Sequence, residues 1–374
     1  MSLHTVLMLA GEVSGDEHGA SLAAALQQRV PGLRLVGIGG PMMEAAGVDL
    51  IAGLDDLAVM GIAEVFHRLP FFRSLEHKVR KVLGEPSVSL VILIDYPGFN
   101  LRIARAAKKV GKRALYYIAP KVWASRPHRI NILSQCIDRM AVILPFEEEL
   151  FEKGGIKTTF VGHPLLDRPD DVSDHSTFCK TWGLDPERPL LAILPGSRRQ
   201  EVVRHIRTFV QAGRLVAKTH PDMLPVFSGV PGVTPSAYDG SSPIVVGDTR
   251  ALLRHAHVAL VKSGTSTIEA ALEGTPSVVA YKMHPLTWLV AKCMLQVDQV
   301  SLPNLIASEK IVPELLQEKA TPEALAEALR TLIPEQGRAR RNQLDGFSRV
   351  RAMLGRPGAA ACVADLAMGL MEPD

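Results

Sequence analysis

Between Val258 and Tyr281 the chain reads VALVKSGTSTIEAALEGTPSVVAY, an order of residue types that leaves little choice of fold. Val258 to Val261 is apolar and β-prone, Gly264 lets the backbone turn, and Ala270, Ala271 and Leu272 favour a helix that Gly274 ends; Ser277 to Tyr281 resumes a strand. Strand, helix and strand without a spare residue make a βαβ unit, which belongs in a parallel sheet. The helix begins at the C-terminal edge of the first strand. There the N–H groups of Gly264, Thr265, Ser266 and Thr267 and the positive end of the helix dipole suit a phosphate or diphosphate. Glu269, one turn inside, would repel bare phosphate but can accept hydrogen bonds from a ribose diol, which points to a nucleotide sugar. A structural reading is equally open, because Ser266 and Glu269 have the S-x-x-E spacing of a capping box.

The 374 residues suffice for two domains, and 47% hydrophobic with 22% charged residues is ordinary for a globular chain. A formal charge of +3 is too small to argue for nucleic acid, so none is expected as a partner. Cys136, Cys179, Cys293 and Cys362 are scattered singly, which suggests neither a disulfide framework nor a zinc knuckle and fits a reducing cytoplasm. The N-terminus lacks a basic n-region and reads as no signal peptide. No stretch approaches the ~20 apolar residues that span a bilayer, so membrane contact is expected to be peripheral.

The rest of the chain repeats the strand, loop, helix rhythm. Thr5 to Ala10 runs into GEVSGDEHG and a helical pattern through Leu26, and Leu33 to Gly37 ends in GIGG, which fails as a dinucleotide fingerprint because Met42 stands where the third glycine belongs. GEVSGD fails as a nucleophile elbow, since Glu12 precedes Ser14 by two where Gly is needed. Val88 to Ile94 is a continuous apolar run and therefore a buried parallel strand, with Asp95 at its end; Ala114 to Ile118, Met140 to Leu144 and Thr159 to Val161 follow. Residues 1–165 form the expected first domain, and the polar, Asp- and Pro-rich stretch 166–189 the linker. A second series starts at Leu190 to Leu194 and fills 190–345. Short helices are expected at Glu314 to Gln317, Pro322 to Leu332 and Ala359 to Met371; 346–374 is set apart as C-terminal helices that can cross to the first domain or a second subunit, the last of them expected to pack there.

Chemistry concentrates at strand ends, where open parallel sheets bind ligands. LPGSR (194–198) follows a strand as Ser263 to Thr267 does, so Gly196 and Ser197 suit a binding turn and Arg198 can clamp a diphosphate. Glu12, Asp16 and Asp95 are the candidate bases; Asp16 is also a candidate helix cap, as is Asn100. No H-E-x-x-H or D-x-D occurs, so neither a metal nor a cofactor is expected. From Val59 to Val82, Phe66, Leu69, Phe71, Phe72 and Leu75 alternate with His67, Arg68, Arg73, Lys78, Arg80 and Lys81. That mixture suits a surface resting on an anionic bilayer, or else a helix pair broken at Pro70 with its aromatics in the core.

Taken together, GEVSGD (11–16), LAVMGIAEV (57–65), DYPGFN (95–100), YYIAPKVWA (116–124), PFE (145–147), FVGHPL (160–165), LPGSR (194–198), KSGTSTIEAAL (262–272) and VSLPNLIA (300–307) resemble lipid-A-disaccharide synthase over about four-fifths of the chain. The resemblance implies two doubly wound, Rossmann-like α/β domains facing across a cleft, the GT-B architecture. It implies an inverting transfer of 2,3-diacylglucosamine from UDP to the 6-hydroxyl of 2,3-diacylglucosamine 1-phosphate, forming the β-1,6 disaccharide of lipid A and releasing UDP. Glu269 becomes a ribose ligand, Arg198 a diphosphate ligand and Asn304 a donor-site residue. Met60, Phe66, Arg68, Phe71, Phe72 and Arg73 become the acceptor or membrane face, with Asp95 or Glu12 as base. Such enzymes act peripherally on the cytoplasmic face of the inner membrane, often as homodimers with exchanged C-terminal helices. Two departures stand out: Ser125 where the family usually has a second Trp, and a shortened Gly/Pro-rich stretch from Met223 to Pro243. The competing readings are a UDP-N-acetylglucosamine 2-epimerase and a non-catalytic nucleotide-sugar sensor.

Overall fold

The computed structural model describes residues 4–57, 69–122, 129–230, 233–238, 240, 242–283 and 299–372. It divides into two compact units, Met1–Arg168 with Leu354–Asp374, and Pro169–Met353. The chain therefore passes from the first unit to the second and back.

In the first unit, β1 (Thr5–Ala10), β2 (Arg34–Gly39), β3 (Val48–Gly53), β4 (Val88–Ile94), β5 (Arg113–Tyr117), β6 (Arg139–Val142) and β7 (Thr158–Phe160) form one sheet in the order β3-β2-β1-β4-β5-β6-β7. Every pairing is parallel. Alternation along the strands sorts the core onto two faces. Leu7, Leu9, Val91 and Leu93 face one cluster with Leu75, Val79, Phe99 and Ile103. Val6, Met8, Ala10, Leu90, Ile92 and Ile94 face another with Leu22, Leu26, Val363 and Ala367. Such two-sided burial is what continuous apolar strands require.

The second unit repeats the plan. Its strands β8 (Leu190–Leu194), β9 (Leu224–Gly229), β10 (Ile244–Val246), β11 (Ala256–Lys262), β12 (Ser277–Tyr281) and β13 (Glu314–Leu316) run in the order β10-β9-β8-β11-β12-β13, again all parallel. The architecture is thus two doubly wound parallel α/β units.

Three local expectations are corrected. The stretch 166–189 is no simple linker: from Pro169 it belongs to the second unit, and its helix His175–Trp182 seats Phe178 and Cys179 in the core beside Leu190 and Ala192. Glu314 to Gln317 contains strand β13, paired with β12, in place of a helix. The C-terminal segment set apart at 346 begins at Leu354 instead, and its last helix packs on the first unit as expected. Helix Arg338–Met353 stays with the second unit, whereas helix Ala359–Met371 buries Ala359, Val363, Ala364 and Ala367 on the sheet of the first. Pro70 sits in the first turn of helix Leu69–Leu83, where a missing N–H costs nothing, and the residues before Leu69 lie outside those described.

Candidate functional site

Each sheet reverses its strand order once among the described strands, between β1 and β4 in the first unit and between β8 and β11 in the second. At such a switch point the helices that follow the two strands leave in opposite directions and open a crevice at the strands' C-terminal edge. In the first unit, Leu9 and Ala10 lie beside Leu93 and Ile94, so the chain emerges next as Gly11-Glu12 on one strand and Asp95-Tyr96 on the other. Glu12 and Asp95, two of the three candidate bases, therefore flank the same reversal.

The Asp95 turn is strained. Asp95 and Tyr96 have φ of 45° and 47°, the left-handed region that side-chain-bearing residues avoid at a cost of about 1 to 2 kcal/mol each. Surrounding bonds compel it. The Asp95 N–H donates to Tyr117 O at 3.1 Å, and the Asp95 carbonyl accepts from Asn100 Nδ2 at 2.7 Å and from the buried Tyr116 hydroxyl at 2.6 Å. Asn100 Nδ2 also reaches Ile94 O at 3.2 Å and Leu9 O at 3.3 Å, so this 1%-exposed side chain ties the ends of β4 and β1 together rather than capping a helix at Leu101. The Tyr96 ring lies over Gly11, where a Cβ would come within 2.2 Å of Tyr96 Cγ. Burial, and then the charge of Glu12, push the Tyr96 hydroxyl up from its ordinary pKa. Glu12, half-buried, takes the N-cap position of helix Val13–Arg29 without a side-chain capping bond.

Asp16 has another task. Its carboxylate, 3% exposed, accepts the N–H groups of Gly40 (2.7 Å), Met42 (3.1 Å) and Met43 (2.9 Å), and so holds the start of helix Pro41–Ala45. With those oxygens engaged, Asp16 is a scaffold residue and no longer a candidate base.

In the second unit Val261 lies beside Leu194, which places the turn Pro195–Arg198 next to the turn Ser263–Thr265. Two helices start here, Arg199–Thr219 with Arg198 at its N-cap and Ser266–Leu272 with Thr265 at its N-cap. The second helix starts one residue earlier than a Ser266 capping box needs, and Thr265 makes no side-chain capping bond. Ser197 and Arg198 are exposed, while the Ser263 hydroxyl donates to Val300 O at 2.9 Å.

Sequence reasoning passed over the group that joins these turns. Glu201 accepts the Ser197 N–H at 3.1 Å and the Lys262 ammonium at 2.6 Å, with Glu201 19% and Lys262 14% exposed. Lys262 also lies 5.5 Å from the centroid of the Tyr281 ring, on which His205 stacks at 5.9 Å. His205 is held neutral. Its Nδ1 faces Glu201 O at 2.7 Å and so donates, its Nε2 accepts the Lys282 N–H at 3.0 Å, and burial lowers its pKa. The signal available in the sequence was Lys262, immediately before the Ser263 turn.

Asn304 departs from its expected part as a direct ligand. It is fully buried, its Nδ2 donates to Val312 O (3.0 Å) and Glu314 Oε1 (2.7 Å), and its Oδ1 accepts from Ile311 and Val312 N–H, both at 2.8 Å. No donor or acceptor is left for a ligand. Glu314 in turn accepts from Val300 N, Ser301 N and Ser301 Oγ, so the pair shapes the segment that meets Ser263.

Of the proposed membrane face, Met60, Phe66 and Arg68 lie outside the described residues. Phe71 and Phe72 are half-buried against the core and meet edge to face at 5.6 Å, while Arg73, His77, Lys78, Arg80 and Lys81 are exposed on the same helix. The aromatics are thus shared between core and surface. Ser125 also lies outside the described residues.

A further polar cluster lies in the first unit. Arg168 holds Glu17 through two bonds of 3.0 and 3.1 Å, and His163, 3% exposed, accepts the Leu165 N–H at Nδ1. Burial first, then the charges of His18, Arg168 and Lys121, lower the His163 pKa to about 3. The His163 N–H donates to Leu354 O at 3.0 Å, and the Gly358 N–H donates to Asp167 at 2.5 Å, which fastens the returning chain to the departing one.

A family model described as lipid-A-disaccharide synthetase matches residues 6–357. The lipid-A-disaccharide synthase of Syntrophus aciditrophicus is 39% identical over 383 residues, covering 100% of this chain and 99% of that protein. That of Myxococcus xanthus is 37% identical over 383 residues, with 98% of each chain covered. Among solved structures, a UDP-GlcNAc 2-epimerase from Neisseria meningitidis bound to UDP-GlcNAc is similar with a TM-score of 0.70 at 12% identity, covering 98% of this chain and 100% of that one. The calicheamicin glycosyltransferase CalG4 gives 0.63 at 17% identity, with 100% of both chains covered. At these identities the structural likeness speaks for the fold alone, and epimerases share that fold.

Proposed function

The chain belongs to the lipid-A-disaccharide synthase family and is a glycosyltransferase, and from that premise we propose how its residues divide the work of the reaction. The donor is UDP-2,3-diacylglucosamine and the acceptor 2,3-diacylglucosamine 1-phosphate. The acceptor's 6-hydroxyl attacks the anomeric carbon, the bond from that carbon to the UDP oxygen breaks, and the hydroxyl proton passes to a carboxylate of the enzyme. The single observation that supports this division is the pair of switch points: one bears carboxylates, the other two helix N-termini and a cationic turn.

The second unit holds the donor. Glu269 accepts from the ribose diol, the N–H groups from Gly264 to Ser266 and the Arg198 guanidinium meet the diphosphate, and Ser197 and Ser263 shape the two turns, while the Thr267 N–H closes the turn on Gly264 O at 3.1 Å. Asn304 contributes by positioning the segment beside Ser263. In the first unit Asp95 is the base, placed by its left-handed turn, and Glu12 orients it or binds the acceptor. Arg73, Phe71 and Phe72, with Met60, Phe66 and Arg68, serve the acceptor's acyl chains and a peripheral contact with the inner face of the inner membrane. No helix of the described residues is long and apolar enough to cross a membrane.

The test is purified protein with UDP-2,3-diacylglucosamine, with and without acceptor, followed by UDP release and mass spectrometry of the lipid. UDP release is expected only with the acylated acceptor, together with a tetra-acylated disaccharide phosphate. Release without acceptor, or a donor altered at C2, would overturn the reading in favour of an epimerase.

A further inference from the structure

Asn100 and Tyr116 are buried polar side chains that touch neither switch-point carboxylate through its oxygens, yet both converge on the backbone of Asp95. We propose that they are positioning residues for the reaction: together they hold Asp95 in its left-handed conformation and so fix where its carboxylate stands. This inference rests on the reading of Asp95 as the base.

The argument starts from the strain. A βα turn after a buried parallel strand can be built from glycine wherever φ must be positive, and this chain uses glycine in that way at Gly196, with φ of 139°, after β8. After β4 it places Asp95 and Tyr96 in the left-handed region instead, at φ of 45° and 47°. Two such residues in succession persist only where neighbouring groups over-determine them.

Here the determining groups can be named. The Asp95 carbonyl has two lone pairs, and both are engaged, by Asn100 Nδ2 at 2.7 Å and the Tyr116 hydroxyl at 2.6 Å. The Asp95 N–H is engaged by Tyr117 O at 3.1 Å. The peptide on either side of the Asp95 Cα is thereby fixed, and the direction of the Cα–Cβ bond with it. Asn100 adds a second constraint, because its Nδ2 also reaches Leu9 O at 3.3 Å, at the end of the strand that leads to Glu12. One amide thus sets the Asp95 backbone relative to the strand that carries the other carboxylate.

The bonds come from two separate elements. Asn100 is on helix Pro97–Lys109 and Tyr116 is on β5, so each can be removed without the other. Tyr116→Phe deletes a single oxygen and keeps the buried ring. Asn100→Ala deletes the whole amide.

The experiment is a pair of double-mutant cycles with Asp95→Asn, measuring kcat, donor KM and urea unfolding for each protein. Each single variant is expected to lower kcat by ~10- to 100-fold, as displacement of a reacting group does, with donor KM within about two-fold of the parent. In the Asp95→Asn background neither should lower kcat further. A group that acts only through the Asp95 carboxylate has nothing left to position once that carboxylate is gone. Multiplying losses in the double variants would overturn the proposal, as would unchanged kcat in folded Tyr116→Phe. Should Asn100→Ala fail to fold, the Tyr116→Phe cycle decides alone. A different failure marks the underlying reading: if Asp95→Asn by itself turns over at the parent rate, Asp95 is not the base.

Discussion

His163 supplies a stability measurement whose size can be worked from the structure. The imidazole is 3% exposed, its Nδ1 accepts a backbone N–H at 3.2 Å, and its pKa is about 3 in the folded protein against an ordinary ~6.5 in an unfolded chain. Between those values the unfolded chain binds a proton that the folded one refuses. Stability is then complete above about pH 7.5 and falls as the pH drops through 6.5, at about 1.4 kcal/mol per unit once well below it. At pH 5.0 the loss comes to about 2 kcal/mol. For a unit of this size that corresponds to a melting temperature lower by ~4 to 8 °C. Burial also lowers His18 and His205, so the total slope is not due to His163 alone. His163→Asn isolates it, since the Asn oxygen can take the Leu165 N–H while titrating nothing. Urea unfolding of both proteins at pH 7.5 and 5.0 should show the parent losing about 2 kcal/mol more than the variant. Parallel losses would mean that His163 is protonated in the folded state or reached by water, and the reasoning would fail.

Three other outcomes follow from single contacts. Gly11→Ala drives a methyl to within 2.2 Å of the Tyr96 ring, so unfolding free energy should fall by ~1 to 3 kcal/mol and turnover with it; unchanged values in a urea titration and a rate assay would show that the ring is not held. Lys262→Met leaves Glu201 without its cation in a site only 19% exposed, which should cost ~1 to 3 kcal/mol and raise donor KM, with Glu201→Gln restoring part of the stability; a parent-like melt for the single variant would dismiss the bridge. Asp16→Ala strips the acceptor from three N–H groups and should destabilise by ~2 to 4 kcal/mol while folded molecules keep near-parent kcat; a catalytic loss at full stability would return Asp16 to the candidate bases.

What the sequence made legible was whatever depends on neighbours along the chain. The strands Thr5–Ala10, Val88–Ile94, Leu190–Leu194 and Ser277–Tyr281 were readable residue for residue, because a continuous apolar run bounded by turn residues has few other uses. Of the four edge strands only Thr158–Phe160 was, displaced by one residue. Val48–Gly53 is half-exposed, Ile244–Val246 has three residues, and Glu314–Leu316 has helix-favouring side chains that pairing with β12 overrides. At the candidate site the turns and carboxylates were visible, while their mutual arrangement was not. Asp16 finds its partners at Gly40, Met42 and Met43, and Glu201 meets Lys262, distances along the chain at which no pattern of spacing survives. Asn304 looked like a ligand for the same reason. Nothing local announces that Ile311, Val312 and Glu314 will consume its amide.

The return of helix Ala359–Met371 to the first unit bears on how a ribosome delivers this chain. The sheet of Met1–Arg168 is synthesised early, but the apolar face that receives Ala359, Val363, Ala364 and Ala367 has no cover until the whole of Pro169–Met353 has been made. At ~5 to 20 residues per second the delay is on the order of 10 to 40 s. Throughout that interval the nascent unit exposes a strip of its core that a holding chaperone can occupy, and a chain that stalls between the two visits leaves the strip open for good.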